Sequence, residues 1–242
     1  LSDAGLRFAT QGVAMVHNLI CGALTDVGGG TAPRYTPYHI PHRTEVMGFM
    51  TFLHGDDRFY NNIFVQKWPD EDIKMRHDSD DGFEMENRKV GTWTFDEYPT
   101  YDEWMAQFDF SRPADMKGLE PAHFGHLPVW SEGNVYLGGA KAWSKEVNGL
   151  EIAGDRSDVK VELIEKDGQY YLDTNVYELM EDFKSRMIST EVLGKAFEPE
   201  QYFENPDGTP IRFDSDYFGS HRGVDVIPGP FANADDAKKK IK

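Results

Sequence analysis

A short pattern of polar and apolar positions recurs three times along the chain. Each copy places an asparagine directly before a run of β-branched, leucine or aromatic residues: His17-Asn18-Leu19-Ile20, Asn61-Asn62-Ile63-Phe64 and Gly133-Asn134-Val135-Tyr136. Asparagine tolerates the left-handed backbone angles of a tight corner, and its amide can bond the equivalent asparagine of a neighbouring coil. The pattern therefore predicts stacked coils of a parallel β-helix, a fold whose long shallow face often binds polysaccharides.

The same pattern divides the chain into two regions. Residues 1–150 contain the predicted coils, which are interrupted by a Gly- and Pro-rich loop at 26–42 and by an acidic and aromatic insertion at about 68–128. Excursions from such coils usually lie on one face and often form the binding site. We therefore expect the loop at 26–42 to lie beside a ligand.

One short helix is predicted within the insertion. Thr100 and Glu103 have the spacing of a capping box, in which the two residues bond each other's backbone N–H groups. Trp104 and Phe108 would then share one face of the helix. We expect this helix to pack over the coils.

Residues 151–242 alternate between apolar and polar positions, which is typical of antiparallel strands. Asp167-Gly168 predicts a hairpin turn, and Asn205-Pro206-Asp207-Gly208 predicts a second turn. Residues 175–187 have a weak helical period. The region as a whole predicts a small antiparallel β-sandwich.

The charge balance narrows the choice of partners. The 242 residues include 25 Lys and Arg against 42 Asp and Glu, which gives a formal net charge of -17. Such a surface repels phosphate backbones and anionic membranes, so we expect no nucleic acid and no membrane partner. No apolar run reaches the roughly 18 residues of a membrane span. A neutral sugar is compatible with this charge.

Two further features bear on compartment and completeness. Cys21 is the single cysteine, so no internal disulfide can form, which slightly favours a cytoplasmic location without fixing it. The sequence starts at Leu1 without an initiator methionine or a signal peptide, in what reads as the middle of a coil. We expect a fragment or the C-terminal product of a longer precursor.

The densest group of chemically capable side chains lies at 34–45. It contains two His, two Arg, two Tyr and a Glu, and two prolines stiffen it. His and Arg can bond sugar hydroxyls, and Tyr can stack on a sugar ring, so we expect this segment to contact a ligand. His39 and His42 with Glu45 could instead hold zinc, but the spacing is loose, and we predict no metal and no cofactor.

The acidic pair Asp56-Asp57 is predicted to be structural. Adjacent residues of a strand point to opposite faces, so these carboxylates cannot flank one glycosidic bond. We expect a corner in which one Asp pairs with Arg58. Asp214-Ser215-Asp216 resembles a calcium site only superficially.

Longer stretches of the chain match one known family in the right order. They are Val16-His17-Asn18-Leu19-Ile20, Arg34-Tyr35-Thr36-Pro37-Tyr38-His39, Pro41-His42, Thr44-Glu45, Gly55-Asp56-Asp57-Arg58-Phe59-Tyr60-Asn61-Asn62-Ile63-Phe64, Gly133-Asn134-Val135-Tyr136-Leu137, Thr190-Glu191, Leu193-Gly194-Lys195-Ala196, Phe203-Glu204-Asn205-Pro206-Asp207-Gly208-Thr209-Pro210, Asp216-Tyr217-Phe218-Gly219 and Pro228-Gly229-Pro230-Phe231. With these residues the chain resembles the C-terminal portion of the β-xylosidases of glycoside hydrolase family 120.

The resemblance implies a fold and an activity. The fold would be a right-handed parallel β-helix with an immunoglobulin-like β-sandwich, which strands preceding Leu1 would complete. The activity would be retaining hydrolysis of xylo-oligosaccharides by two carboxylates. No position of this chain matches either carboxylate motif, because both precede Leu1 in the family. The chain would contribute one wall of the site and need an N-terminal segment, in the same enzyme or as a separate chain.

Matching of the internal repeats suggests which residues border the sugar. Thr10-Gln11 reads as the equivalent of Thr44-Glu45 one coil further on, and stacked coils lie about 4.8 Å apart. Gln11 would then lie next to the last catalytic carboxylate of the family. The predicted substrate-binding residues are Gln11, His39, His42 and Glu45.

Two other functions remain open. A polysaccharide lyase or epimerase could use the same scaffold, although it needs a basic residue and a neutralised uronate, which the strong negative charge disfavours. A non-catalytic sugar-binding β-helix fragment is the alternative without chemistry, and the missing carboxylates favour it.

Overall fold

The computed structural model describes residues 4–8, 10–26, 35–39, 42–51, 53–69, 88–109, 111, 125–197 and 199–241. These residues are mostly strands with a few short helices, which confirms the all-β class. Gly28-Gly29-Gly30 and Arg34 of the Gly- and Pro-rich loop, much of the acidic insertion, and the side chains of Tyr35 and Tyr38 lie outside the described part.

The elements follow one another in this order. The strands are β1 (Ala4–Phe8), β2 (Ala14–Val16), β3 (Leu19–Ile20), β4 (Ala23–Asp26), β5 (Tyr35–His39), β6 (Val46–Thr51), β7 (Asp57–Tyr60), β8 (Ile63–Val65), β9 (Arg88–Lys89), β10 (Val129–Glu132), β11 (Val135–Leu137), β12 (Leu150–Glu151), β13 (Val161–Lys166), β14 (Gln169–Thr174), β15 (Ser185–Arg186), β16 (Asp225–Val226) and β17 (Lys240–Ile241). The α-helices are α1 (Tyr101–Met105), α2 (Val176–Leu179) and α3 (Thr190–Leu193), and 3₁₀ turns cover Thr92–Phe95, Arg156–Asp158 and Asp236–Lys238.

Successive passes of the chain stack on one another in parallel. One sheet has the order β10-β7-β2, and a second has the order β12-β11-β8-β3. In the second sheet Leu19 lies beside Ile63, Ile63 beside Val135, and Val135 beside Leu150. Each of the first three passes therefore gives one strand to each sheet, with a corner between the two strands.

The predicted asparagine contacts form at these corners. Asn18 Nδ2 donates to Asn62 Oδ1 at 3.0 Å, and Asn62 Nδ2 donates to Asn134 Oδ1 at 3.0 Å. Each acceptor also receives the backbone N–H of the preceding asparagine, at 3.0 and 2.9 Å. The predicted ladder of asparagine amides is confirmed between the first three passes.

The expectation of left-handed angles at the asparagines themselves is wrong. Positive φ values occur one residue earlier, at His17 (59°), Asn61 (55°) and Gly133 (69°). The chain turns at that residue, and the following asparagine starts the next strand with its amide directed along the stack. The corner thus uses two consecutive residues for two separate tasks.

Glu146 takes the place of an asparagine at the fourth corner. Its Oε1 accepts from Asn134 N at 3.1 Å and from Asn134 Nδ2 at 3.0 Å, and its Oε2 accepts from Tyr136 and Ser131 hydroxyls. A Cβ on Gly149 would lie 2.5 Å from Glu146 Cγ, so glycine at the rung position leaves room for this side chain. Burial raises the pKa of Glu146.

The stacked strands β7, β8 and β11 are buried on both faces. On β8, Phe64 packs inward with Phe59, whereas Ile63 and Val65 pack outward against residues of the C-terminal region such as Phe231. Parallel strands with both faces covered read as continuous apolar runs, which explains why these runs lack alternation. The division at about residue 150 stays a prediction, and the outward cluster joins both regions.

A testable pH effect arises at the first corner. His17 is buried; its Nδ1 donates to Gly229 O at 3.2 Å, and its Nε2 lies 3.3 Å from Asn61 Nδ2, as an acceptor. Burial, reinforced by the charge of Arg222, lowers the pKa of His17 to about 3. The unfolded chain binds this proton more readily, so stability present above about pH 6.5 is lost as the pH falls towards 3.

We expect this histidine to account for about 2 to 3 kcal/mol of the stability lost between pH 7 and 4. His17→Asn keeps a residue type that tolerates the left-handed angle and removes the titration. Urea unfolding of both proteins at several pH values measures the difference. Parallel pH curves for the two proteins would contradict the assignment.

In the C-terminal region the predicted turns are confirmed. β13 and β14 pair antiparallel around Asp167-Gly168, both with positive φ, and β17 extends the sheet on the far side of β14. Gly208 N donates to Asn205 O at 2.8 Å in the second turn. β15 and β16 form a separate two-stranded sheet. The β-sandwich stays a prediction.

The two helix predictions have different outcomes. The capping box of Thr100 and Glu103 is present on α1, and the rings of Trp104 and Phe108 lie 4.8 Å apart, as expected. The helix expected at 175–187 ends after α2, because Glu181 adopts a left-handed φ of 49° and stops it. Among the described helices, none is long and apolar enough to cross a bilayer.

Candidate functional site

A cleft of about 550 Å³ opens beside the first pass. Its walls come from the start of that pass, the β5–β6 hairpin, the corner before β7 and the segment 193–213. The lining residues are Gln11, Gly12, Ala14, Pro37, His39, Asp56, Leu193, Ala196, Pro199, Gln201, Tyr202, Phe203, Glu204, Ile211 and Phe213.

Gln11 presents an unpaired donor in the cleft wall. Its backbone bridges to Gly55 of the next pass, and its Oε1 accepts from Leu53 N at 3.0 Å. This contact fixes the orientation of the amide, so Nε2 is the remaining donor. Among the described residues, buried Nε2 has no partner. Buried donors are rarely left unpaired, so an acceptor from a ligand would satisfy it.

His39 contributes an acceptor to the same cleft. Its Nδ1 lies 3.1 Å from Thr44 O, and a carbonyl can only accept, so Nδ1 carries the proton. The neutral ring then has its lone pair on Nε2. The hairpin that carries β5 and β6 thereby fixes the tautomer of His39, and Nε2 can accept a hydrogen bond from a hydroxyl group.

His42 reaches the cleft through Glu204. His42 Nε2 donates to Glu204 Oε1 at 2.7 Å, and this bond joins the turn of the hairpin to the opposite wall. Glu204 lines the cleft, whereas His42 does not. His42, predicted to bind the substrate, therefore bonds the carboxylate of Glu204. Glu204 was not among the predicted site residues.

Glu45 lies outside the cleft. Its side chain is 61% exposed, and its contact is Arg43 Nη1 at 3.9 Å. The repeat matching that equated Gln11 with Glu45 is wrong, because Gln11 pairs with Gly55 in the next pass. The hairpin at 35–51 is inserted between the two passes. The residue equivalent to Gln11 therefore lies 44 positions later, at Gly55, and not 34 positions later, at Glu45.

Tyr202 and Phe203 complete the cleft and were missed from the sequence. Tyr202 is 48% exposed, and Lys195 Nζ lies 4.8 Å from the centroid of its ring. An exposed ring of this kind can stack on the apolar face of a sugar. The family match of 203–210 is the sequence signal for this wall, but the turn Asn205-Pro206-Asp207-Gly208 is the more obvious interpretation of that stretch.

Asp56 also lines the cleft, but its carboxylate is fully committed. Oδ1 accepts from Arg58 Nη1 at 2.7 Å, and Oδ2 accepts from Phe197 N at 2.9 Å. Burial raises the pKa of Asp56, against the opposing effect of Arg58. Asp57 Oδ1 instead accepts from Val13 N at 3.2 Å. The predicted structural corner with an ion pair is confirmed.

The described part of the chain brings no three His, Cys, Asp or Glu side chains together in an arrangement that could hold a metal ion. Asp216, part of the calcium-like stretch, uses its carboxylate on the backbone N–H groups of Phe218, Ser220 and Ala232. These contacts stabilise a turn.

Comparison with solved structures finds a similar protein, XylC, in a structure of its complex with xylose. The TM-score is 0.76 and the sequences are 28% identical. The aligned part covers 99% of this chain and 34% of the XylC chain, so this chain spans about a third of that protein. Comparisons with models of protein families and with curated proteins found no match.

Proposed function

We propose that residues 1–150 are the terminal coils of a right-handed parallel β-helix and that 151–242 belong to an associated immunoglobulin-like β-sandwich. The parallel register of four successive strands in the second sheet supports the β-helix. The asparagine ladder and the similarity to XylC support it as well.

The proposed function is that of a glycosidase part: the C-terminal portion of a retaining β-xylosidase that acts on xylo-oligosaccharides. The observation that carries it is the cleft, with a buried unpaired amide donor on Gln11 and a fixed acceptor on His39. A donor and an acceptor that line the same cleft match the hydroxyl groups of a neutral sugar. The binding of xylose by the similar protein XylC supports the substrate class.

In this proposal each site residue has a stated role. Gln11 donates to a sugar hydroxyl, His39 Nε2 accepts from one, and His42 holds the carboxylate of Glu204 in place. Glu45 has no contact with the sugar in this proposal, because it lies outside the cleft on the exposed part of the hairpin. The two carboxylates that cleave the glycosidic bond lie on coils that precede Leu1 in the family, so this chain supplies one wall of the site.

The proposed N-terminal partner would stack on the first pass. β2 and β3 each lie at the end of their sheet, with one edge free of described strands. Asn18 Oδ1 accepts no hydrogen bond from the described residues, although the equivalent atoms of Asn62 and Asn134 each accept two. A further coil could donate its corner N–H and amide to this oxygen.

The proposal is tested by assaying para-nitrophenyl β-xyloside with this chain alone and with the chain joined to the N-terminal coils of its own gene product. Activity in the joined protein only is the expected result. Activity on uronates instead would support a lyase or epimerase. Inactivity of the joined protein on all sugars, with binding retained, would support a non-catalytic sugar-binding protein.

His39→Ala in the joined protein is expected to lower kcat/KM by roughly tenfold, because one hydrogen bond to the sugar is lost. His221→Ala is the matched control, since His221 is exposed and does not line the cleft. Steady-state kinetics on the same xyloside measure both. Equal kinetics for the two variants would remove His39 from the site.

A further inference from the structure

A second cavity of about 370 Å³ lies on the outer side of the sheet formed by β2, β7 and β10. Tyr60 and Trp130 form its floor, α1 contributes Tyr101 and Asp102, and the segment after β11 contributes Trp143. The volume is within the range of small-molecule sites, about 300 to 1,000 Å³. Nothing in the proposed glycosidase function uses this cavity.

Aromatic rings form one side of the cavity. The rings of Tyr101 and Trp130 lie 6.4 Å apart with an angle of 27° between their planes. The capping box of α1 fixes the position of Tyr101, whose side chain is 43% exposed. Tyr101 therefore offers an exposed aromatic ring beside Trp130, on which the apolar C–H face of a sugar ring can pack.

Polar groups with unused bonding capacity face the same space. Within the described chain, Trp143 Nε1 is buried without a partner, and the buried side chain of Tyr60 lines the same cavity with its hydroxyl. Burial, reinforced by the charge of Glu132, raises the pKa of Tyr60 to about 12, so its hydroxyl stays protonated. Glu132 accepts from Arg186 Nη2 through Oε2, which leaves Oε1 as a further acceptor.

The cavity is separate from the cleft. The Arg58 guanidinium lies between the two, 4.3 Å from the ring centroid of Trp130 on the cavity side and 4.6 Å from that of Phe203 on the cleft side. Four hydrogen bonds to protein acceptors hold the Arg58 guanidinium in this position, so this wall stays closed. A ligand in one space therefore does not fill the other.

We propose that this cavity binds a pyranose ring of a neutral saccharide, at a site distinct from the cleft. Rings offer the stacking surface, Tyr60 and Trp143 offer donors, and Asp102 and Glu132 offer acceptors for hydroxyl protons.

Other ligand classes fit less well. The two carboxylates and the net charge of -17 disfavour phosphates and other anions. A cationic ligand would compete with Lys145, whose ammonium already lies 5.5 Å from the Trp143 ring centroid and bonds Tyr98 O and Glu103 Oε2. The ligand class that remains is a neutral polyhydroxylated ring.

The test uses the indole N–H signals of the 242-residue chain in nitrogen–proton NMR spectra, titrated with methyl β-xyloside. Trp130 and Trp143 line the cavity, whereas no tryptophan is among the residues that line the cleft, so a ligand in the cavity contacts these indoles directly and a ligand in the cleft does not. Tryptophan-to-phenylalanine variants assign them. The expected result is saturable shifts of the Trp130 and Trp143 signals.

Tyr101→Ala is expected to weaken the affinity obtained from these shifts by about tenfold, equivalent to about 1.4 kcal/mol for one aromatic contact. Tyr170→Ala is the control, because Tyr170 is similarly exposed, at 49%, and lines neither space. If Tyr101→Ala alters the fold by circular dichroism, Asp102→Ala replaces it. Absence of shifts in the unmodified chain, or equal affinities for the Tyr101 and Tyr170 variants, would overturn the proposal.

The outcome is independent of the proposed catalytic function. Loss of xyloside hydrolysis in the joined protein with intact indole shifts would sink only the glycosidase assignment. Hydrolysis without indole shifts would sink only the second sugar site.

Discussion

Replacing Arg58 with methionine is expected to lower the free energy of unfolding by about 3 to 5 kcal/mol, the usual result of breaking a buried ion pair. The Arg58 side chain is 3% exposed, so water cannot replace it as the partner of the groups that it bonds. Its Nη1 bonds Asp56 Oδ1 at 2.7 Å, and its Nε and Nη2 bond the carbonyl oxygens of Leu193 and Lys195 at 2.6 and 2.7 Å. Methionine would keep much of the volume and none of these bonds.

The change should also loosen one wall of the cleft. Arg58 belongs to β7, whereas Leu193 and Lys195 belong to the segment that carries Tyr202 and Glu204. Its loss removes the bonds that fix this segment to the stacked sheets. We expect faster hydrogen exchange at 193–204 than in the unmodified chain, measured under native conditions by mass spectrometry.

Arg212→Met is the matched control. Arg212 Nε lies 3.6 Å from Asp214 Oδ2, but the arginine side chain is 63% exposed. Exposed ion pairs contribute about 0 to 1 kcal/mol, so this variant should unfold near the midpoint of the unmodified protein. Urea unfolding followed by circular dichroism measures both. If Arg58→Met lowers the free energy of unfolding no more than Arg212→Met does, the buried ion pair does not hold the segment 193–204 in place.

A double variant separates the loss of the Arg58 hydrogen bonds from the effect of an unpaired charge on buried Asp56. Arg58→Met leaves the Asp56 carboxylate buried without its cation, and Asp56→Asn removes that charge. The double variant should therefore be more stable than Arg58→Met alone, because the two effects are coupled and do not add.

The local elements could be predicted from the sequence because their signals are local. The capping box of α1 needs two residues three positions apart, and the hairpin of β13 and β14 needs Asp167-Gly168 between alternating runs. The asparagine ladder could also be predicted, since the same short pattern occurs at each of the first three corners. Each of these signals either lies within a few residues or recurs in similar form along the chain.

The cleft could be predicted only in part, for physical reasons. Gln11 and His39 were identified, but the opposite wall comes from Tyr202 and Glu204, which folding brings across from the far end of the chain. Nothing in the residues around 39 specifies that partner. Glu45 was misplaced because repeat matching counts residues, whereas the coil register depends on where the inserted hairpin leaves and re-enters the stack.

The end of the ladder illustrates a different difficulty. The rung position of the fourth corner is Gly149, and the side chain that bonds Asn134 there belongs to Glu146, three residues earlier. Because Gly149 has no side chain, it leaves room for that of Glu146. No repeat marks the substitution, since neither residue type matches the pattern at the other corners. Only the hydrogen bonds identify the two residues as the fourth rung.

Asn62→Ala is expected to destabilise the protein by about 3 to 5 kcal/mol, because several buried groups lose their partner at once and each costs about 1 to 3 kcal/mol when left unpaired. Asn62 is fully buried. Its Oδ1 accepts from Asn18 N and Nδ2, both at 3.0 Å, and its Nδ2 donates to Asn134 Oδ1 at 3.0 Å and Met15 O at 2.9 Å. Thermal and urea unfolding measure the change.

Asn18→Ala is the matched variant at the end of the same ladder. Asn18 is only partly buried, and its amide makes two bonds, to Val16 O at 3.2 Å and Asn62 Oδ1 at 3.0 Å. Water can replace a partner there, so we expect a loss of about 1 kcal/mol. The double variant should lose less than the sum, because the bond between Asn18 and Asn62 is counted in both single changes. Equal losses for the inner and the outer asparagine would mean that the backbone sheets alone hold the passes together, and the amides merely fit between them.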